Sequence, residues 1–310
     1  MDLYESVLGL KKPIFGLDIG YSTLKVIQLK GEGPKAKLLG VAEIGIEPKA
    51  LSKDGISDQK RVAESILTAM KMAKPNPITA RIVSSALPES LVFTKSVDIP
   101  SMKSEEINKN IPYQASEFFP VPVNEMYMDW QIVGQLPGKN LVDVLVVAAP
   151  KKIVDSFAQT IQATGLELES LETKPVSVTR ALIGPNDKNP YLVLDIGAKT
   201  SSLICFDQGT IKLTSTISCG GDDLAKDYQA NVDNLASEII HLVKYYQNRI
   251  GQATIFLKII LAGGGANTPN IAATLEQSTK IKTEITWPII KTKTYNPKFA
   301  SVLGLAMKKI

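Results

Sequence analysis

The strongest constraint on this chain is a phrase that it repeats. GLDIGYSTLKVI, Gly16 to Ile27, and VLDIGAKTSSLI, Val193 to Ile204, align with Asp18 over Asp195, 177 residues apart. Each copy is an apolar run, Asp-Ile-Gly, a small polar turn and a second apolar run. That is the pattern of a β-hairpin with Gly at the tight position. One Asp-Ile-Gly is an ordinary turn. Two in equivalent settings argue for a duplicated domain with a site between its halves.

The neighbourhoods of the two phrases agree. In the first half, Phe15–Leu17, Leu24–Leu29 and Leu38–Ile46 read as strands. A helix follows with Val62, Ile66, Leu67 and Met70 on one face, capped by Ser57 or Asp58 and stopped before Pro75. In the second half, Tyr191–Leu194, Ser202–Phe206 and Ile211–Ile217 read as strands. A helix from about Val232 to Ile250 follows, with Leu235, Ile239, Leu242, Val243 and Tyr246 as its buried stripe and Gly251 as its stop. A strand at Ile255–Leu261 runs into AGGGANTPN, where Asn267 or Thr268 caps the next helix and Pro269 fills its first turn. Between the halves, strands at Ala80–Ser84, Leu91–Val97, Met126–Ile132 and Val142–Ala149 and helices near Ser104–Glu117 and Lys151–Ala163 read as an inserted α+β subdomain. Glu172–Ala181 reads as a crossover helix. The expected division is 1–77, 78–170 and 171–310.

Composition narrows the function classes. Hydrophobic residues make up 44% and charged residues 21% of the 310, an ordinary globular balance. The net charge of +4 is not gathered into a basic block, so no nucleic-acid partner is expected. Cys205, Cys219 and the single His241 make neither a disulfide framework nor a zinc cluster, and the two cysteines read as buried free thiols in a reduced compartment. No stretch reaches the roughly 18 apolar residues of a membrane span, and MDLYESVLGLKKP lacks a signal peptide's basic start and apolar core. A cytoplasmic location is expected, with membrane contact only through a partner.

The repeated turns suggest a polyphosphate clamp. Gly20, Tyr21, Ser22 and Thr23 in one turn, and Gly197, Ala198, Lys199 and Thr200 in the other, offer backbone N–H groups and hydroxyls to an anion. Asp18 and Asp195, at the strand ends, are hard oxygen ligands suited to Mg²⁺, directly or through water, and are the candidate catalytic and metal-binding residues. Lys25 adds positive charge. The third loop, Gly263-Gly264-Gly265, lets a flat ring or a phosphate lie against bare backbone, with Asn267 beside it. Glu238, on the polar side of the long helix, is a candidate nucleoside contact. No P-loop and no dinucleotide-binding glycine fingerprint is present.

With these motifs on the page, the chain resembles the actin/Hsp70/hexokinase-type fold, a duplicated ribonuclease H-like α/β ATPase fold. Gly16–Lys25 resembles its first phosphate motif, Asp195–Thr200 its second and Leu261–Ala266 its adenosine motif. Within that superfamily it most resembles the PilM family of type IV pilus assembly proteins, relatives of the division protein FtsA. Ser85–Met102 and Ile111–Val133 look like that family's inserted 1C subdomain, Gly220-Gly221-Asp222 like its Gly-Gly turn, Ser237–Gln247 like the following helix and Phe299–Lys309 like its closing helix. The resemblance implies ATP and Mg²⁺ as cofactors, with Gly221 among the nucleotide-binding residues. It also implies a scaffold that binds the N-terminal cytoplasmic peptide of a PilN-type membrane protein, engages other pilus-machine components and can self-associate. Pro112, Pro120 and Pro122 with Phe118, Phe119, Tyr127 and Trp130 read either as insert core or as a docking strip for such a peptide.

One departure from the family pattern stands out. Where relatives carry a second insert, subdomain 2B, with a Glu/Lys pair on the nucleoside, this chain has only about residues 222–234. One wall of the adenosine pocket is therefore expected to be missing. A nucleotide-free scaffold is the first alternative reading. An FtsA-like division anchor and a small-molecule kinase follow, the kinase disfavoured because no further carboxylate near the clamp offers a base. Hydrolysis, where it occurs, is expected to be slow, since no residue is evident to position the attacking water.

Overall fold

The computed structural model describes residues 12–47, 49–136, 140–251, 254–290 and 295–308. The N-terminal apolar patch, Tyr4 to Leu10, and Lys309 lie outside them. In chain order the strands of the first part are β1 (Ile14–Ile19), β2 (Thr23–Lys30), β3 (Lys37–Gly45), β4 (Leu51–Ser52) and β5 (Gly55–Ile56). Then come α1 (Gln59–Met72), β6 (Lys74–Pro75), β7 (Ile82–Leu87), β8 (Phe93–Pro100), α2 (Ser104–Phe118), β9 (Met126–Gln135) and β10 (Leu141–Pro150). They are followed by α3 (Lys151–Gln162), β11 (Glu167–Thr173), α4 (Lys174–Leu182), β12 (Tyr191–Ile196), β13 (Ser201–Asp207) and β14 (Thr210–Ile217). The last elements are α5 (Gly221–Leu224), α6 (Tyr228–Ile250), β15 (Lys258–Ala262), α7 (Ile271–Thr279), β16 (Thr283–Glu284) and α8 (Ala300–Ala306).

These elements form two compact units. The first gathers residues 1–88, 155–184 and 287–310. Its six-stranded sheet runs β11-β7-β1-β2-β3-β6. Phe15, Leu17, Ile19, Leu24 and Val26 leave no surface exposed, and neither do Ile66 of α1 or Phe157 and Ile161 of α3. Asp58 caps α1 by accepting from the Arg61 backbone N–H. Every residue of α8 is buried, and the helix packs on β1 and α4. Gly16 of β1 is obligatory there, because a Cβ would overlap the Val302 carbonyl oxygen. Gly304 of α8 meets the Ser177 carbonyl of α4 in the same way, and Arg180 Nη1 donates to the Gly304 oxygen at 3.0 Å. Gly304→Ala must push backbone from backbone, so it is expected to cost about 1–3 kcal/mol, measured as an earlier urea midpoint of the first unit.

The second unit holds residues 89–154 and 185–286. Its larger sheet runs β14-β13-β12-β15-β16 and its smaller one β8-β10-β9. One core joins Leu192, Leu194 and Leu203 to Leu235 and Ile239 of α6 and Leu275 of α7. A second lies between the small sheet and α2, through Ile107, Ile111, Val142, Val144 and Val146.

The duplication is visible in topology and register. β1 pairs antiparallel with β2 and parallel with β7, as β12 pairs antiparallel with β13 and parallel with β15. Asp18 is register partner to Ala86 on the parallel side, and Asp195 to Ala262.

Several elements differ from the sequence reading. The 78–170 stretch divides: β7 and β11 hydrogen-bond into the first sheet, and only 89–154 groups with the second unit. The helix expected over Glu172–Ala181 is preceded by a strand and starts at Lys174, which leaves Pro175 in the first turn, where a missing N–H is harmless. β15 begins at Lys258, and Ile255 stays 81% exposed. Gly264–Asn267 is a single 3₁₀ turn, and α7 starts only at Ile271 after a left-handed Asn270. α6 starts at Tyr228, capped by Asp227, and ends at left-handed Gly251 as its sequence requires. Three residues therefore separate α5 from α6. Asn231 Nδ2 donates across this short connection to the Asp223 and Asp227 carbonyls.

Candidate functional site

The first half-site is the tip of the β1–β2 hairpin. The Gly20 N–H donates to the Thr23 carbonyl at 2.9 Å, closing the turn. Tyr21 and Thr23 are half-buried and Ser22 is exposed. Asp18 and Lys25 are direct cross-strand partners, which explains their spacing: a two-residue period on each strand puts both side chains on one face. Asp18 is 4% exposed.

Its nearest charge is one that the sequence reading missed. Lys174 Nζ lies 2.7 Å from Asp18 Oδ1. Lys25 instead donates to Thr23 Oγ1 at 2.6 Å and pairs with Glu43 at 3.6 Å, and Glu43 also pairs with Lys298. Burial raises the cost of charging Asp18, yet Lys174 and then Lys25 outweigh it and hold the carboxyl below its usual range. Apart from this close Lys174 contact, Oδ1 has no hydrogen-bond partner among the described residues. A buried carboxylate oxygen in that state retains capacity for another ligand. Nothing in the linear sequence marks Lys174. It reaches Asp18 because β11 lies two strands from β1 and delivers the start of α4 to that end of the sheet.

The second half-site is made of three loops that touch. The Gly197 N–H donates to the Thr200 carbonyl at 3.0 Å, the Gly221 N–H to the Gly197 carbonyl at 2.8 Å, and the Asp222 N–H to the Ala198 carbonyl at 3.0 Å. A Cβ on Gly221 would lie 3.4 Å from the Gly265 Cα, and one on Gly263 only 2.5 Å from Asp195 Oδ1. Gly263 also needs its positive φ of 81°. A Cβ on Gly265 would overlap Ile196, whereas Gly264 is exposed with open space where a Cβ would point. Asn267 Nδ2 braces the loop by donating to the Gly264 carbonyl at 3.1 Å.

The structure thus brings Asp195, the 197–200 turn, Gly221, Gly263–Gly265 and Asn267 together. It also changes their roles: the amides of Gly20, Gly197 and Gly221 are used to hold the turns, not left pointing outward. Lys199 pairs with Asp222 at 2.7 Å in the open, a contact of little energetic weight. Glu238 is half-buried in α6, and among the described residues no hydrogen bond or ion pair ties it to these loops. His241 is exposed, and both cysteines are buried free thiols. No group of three His, Cys, Asp or Glu suited to a metal occurs among the described residues. Asp18 and Asp195 are, each in its own unit, hard carboxylates of the kind that meets a hydrated magnesium ion.

The aromatic strip of the insert is split. Phe119 and Trp130 pack against the small-sheet core, and the Trp130 indole N–H donates to Asn108 Oδ1 at 2.7 Å. Phe118 and Tyr127 stay exposed.

The family model for the type IV pilus assembly protein PilM matches residues 16–234. This chain belongs to the PilM family. The match takes in both Asp-Ile-Gly turns and the Gly-Gly turn. Among solved structures, a chain of the PilM-PilN type IV pilus biogenesis complex has a TM-score of 0.77 at 22% identity, covering 94% of this chain and 97% of that one. MreB5 of Spiroplasma citri, solved with AMPPNP, has a TM-score of 0.53 at 12% identity over 95% of each chain. Both likenesses are of fold, and they place this PilM-family chain in the actin-like ATPase fold. The cell division protein FtsA of Bacillus subtilis (strain 168) is 24% identical over 239 residues, 68% of this chain and 52% of FtsA. The chain spans about half the length of the curated relatives it matches. No helix among the described residues is long and apolar enough to cross a membrane.

Proposed function

We propose that this chain is an actin-like scaffold of type IV pilus assembly that binds the N-terminal cytoplasmic peptide of a PilN-type membrane protein and responds to Mg-ATP. The peptide partner is carried over from the solved complex that shares its fold. In this reading the protein acts on the cytoplasmic side, reaches the membrane through that partner, meets other pilus components and can associate with itself.

The observation that carries the nucleotide part is the buried Asp18 carboxylate at the hairpin tip, with Lys174 on its Oδ1 and Lys25 as its cross-strand partner. In the second half, Asp195 stands against a glycine loop whose exposed Gly264 leaves its backbone bare. Asp18 and Asp195 would hold the magnesium through its water shell, and the lysines would offset phosphate charge. The ion, when bound, neutralises the polyphosphate. Ser22 and Thr200 supply hydroxyls, and Tyr21, Ala198 and Lys199 complete the turns. The open face at Gly264 would take the nucleoside with one wall absent, because only about residues 222–234 stand where relatives carry subdomain 2B. Turnover is accordingly expected to be slow.

Calorimetric titration of Mg-ATP tests this reading. Micromolar binding is expected in the parent protein, weakened at least about tenfold, or 1.4 kcal/mol, in Asp18→Ala and in Asp195→Ala. The ion pair between Asp18 and Lys174 supports a second reading, a scaffold that fills its own cation site and has abandoned the nucleotide. Folded protein that captures the PilN-type peptide but ignores Mg-ATP would establish that second reading. Failure to capture the peptide at all would overturn both.

A further inference from the structure

A cavity of about 280 Å³ lies within the second unit, and its lining includes no residue of the Asp195–Thr200 turn. Glu89, Val92, Phe93, Phe119 and Thr214 line it, with Lys95 beside them. It exceeds the roughly 150 Å³ that suffices for a benzene ring. Its floor is chemically unusual. Glu89 is 6% exposed. Its Oε1 accepts from Thr94 Oγ1 at 3.2 Å and from Thr214 Oγ1 at 2.5 Å. Its Oε2 is buried and has no hydrogen-bond partner among the described residues.

A buried carboxylate in this state is relieved in one of two ways. It takes a proton, or it meets a cation. Burial favours the proton and pushes the Glu89 carboxyl above its usual range, against the two threonine hydrogen bonds. The walls favour a particular cation. Phe93 and Phe119 stand with ring centroids 5.7 Å apart. An aromatic pair of this kind accepts a flat, weakly hydrated guanidinium better than a compact ammonium. The lysine already present belongs to the same lining: Lys95 Nζ sits over the Phe118 ring, 5.5 Å from its centroid, instead of on Glu89. Glu89 and Lys95 are the titratable groups among the lining residues.

We propose that this cavity is a binding site for a guanidinium group on an apolar stem, packed against the touching Phe93 and Phe119 rings with its N–H groups donating to the Glu89 carboxylate. An arginine side chain of a partner and a free alkylguanidine share that chemistry. The ligand competes with a proton for Glu89, so affinity rises as pH rises through the elevated carboxyl range.

Binding of agmatine and of the capped tripeptide acetyl-Gly-Arg-Gly-amide to the intact protein separates the two sources. Tighter binding of the tripeptide assigns the site to a partner's arginine, and tighter binding of agmatine to a small molecule. Either order supports the site. Glu89→Gln is expected to weaken the better probe at least about tenfold, because it removes a charge-assisted hydrogen bond. Lys95→Ala is expected to strengthen it severalfold by removing like charge from the rim, an effect that a purely structural Glu89 does not produce. Binding heats in buffers of different ionisation enthalpy should also show proton release at mildly acidic pH. Should Glu89→Gln fail to fold, that measurement on the parent protein and the Lys95→Ala titration decide. Undetectable binding of both probes, or binding unchanged by pH and by Lys95→Ala, overturns the proposal.

Discussion

Lys174→Ala is expected to destabilise the first unit by about 3 kcal/mol, at the low end of the 3–5 kcal/mol typical for breaking a buried ion pair. Asp18 and Lys174 have side chains only 6% and 17% exposed. Removing the lysine leaves the carboxylate buried beside Lys25 alone, and Lys25 already shares Glu43. The effect has a pH signature. In the parent protein the Asp18 carboxyl is held below its usual 3.8, so the unfolded chain binds more protons than the native one in that window. The pair's contribution is therefore complete above the ordinary value and is lost as pH falls through the depressed one. Without Lys174, burial dominates and the carboxyl rises. The native state of the variant then binds more protons, and its deficit shrinks on acidification. Urea unfolding at neutral and acid pH measures both. Adding Asp18→Asn to Lys174→Met should restore most of the stability, since a neutral pair carries no uncompensated charge. A deficit independent of pH would show that Lys174 stabilises by packing instead.

Arg249→Ala is expected to cost a similar 3–5 kcal/mol in the second unit. Arg249 comes from α6, is 14% exposed, and its Nη2 reaches Asp143 of β10 at 2.8 Å and also Asp98 of β8. Ser96 donates to the same Asp143 oxygen. Nearby, buried Lys212 donates to the Val133 carbonyl and to Gln208, and Tyr246 donates to Asp207 at 2.7 Å. Burial lowers the Lys212 ammonium and raises the Tyr246 hydroxyl. This polar network ties the inserted strands to β14 and α6. Once Arg249 is gone, Asp143 keeps one hydrogen bond, from Ser96, and the charge of Lys212. Hydrogen exchange should then show β8–β10 opening well before β12 and β13. Uniform loss of protection across the unit would refute the idea that the network fastens the insert.

The sequence carried the duplication because identical local chemistry at both hairpins leaves the same residues in the same order. The three glycine loops were legible for a related reason: close backbone approach excludes a Cβ, and that exclusion is written as Gly. What the sequence did not carry is pairing. The small and apolar residues of Ile82–Leu87 say that a buried strand is present, but not that its neighbours are β1 and β11 instead of the insert. Lys174 and Glu89 are ordinary letters in ordinary contexts. Their significance arises from which strand delivers them and from what is absent around their partners.

The burial of α8 against β1 has a consequence for how the chain is made. Gly16 is translated well before the surface that covers it, at Val302 and Leu305, which emerges nearly 300 residues later. The residues of the second unit are all translated by Thr286. Domains generally fold as units while the chain emerges. Here the first unit's sheet must wait, with an apolar face uncovered, until α8 leaves the ribosome. A chain stalled or cut before Ala300 would carry a finished second unit and an unfinished first one. That form of the protein would be most in need of a chaperone.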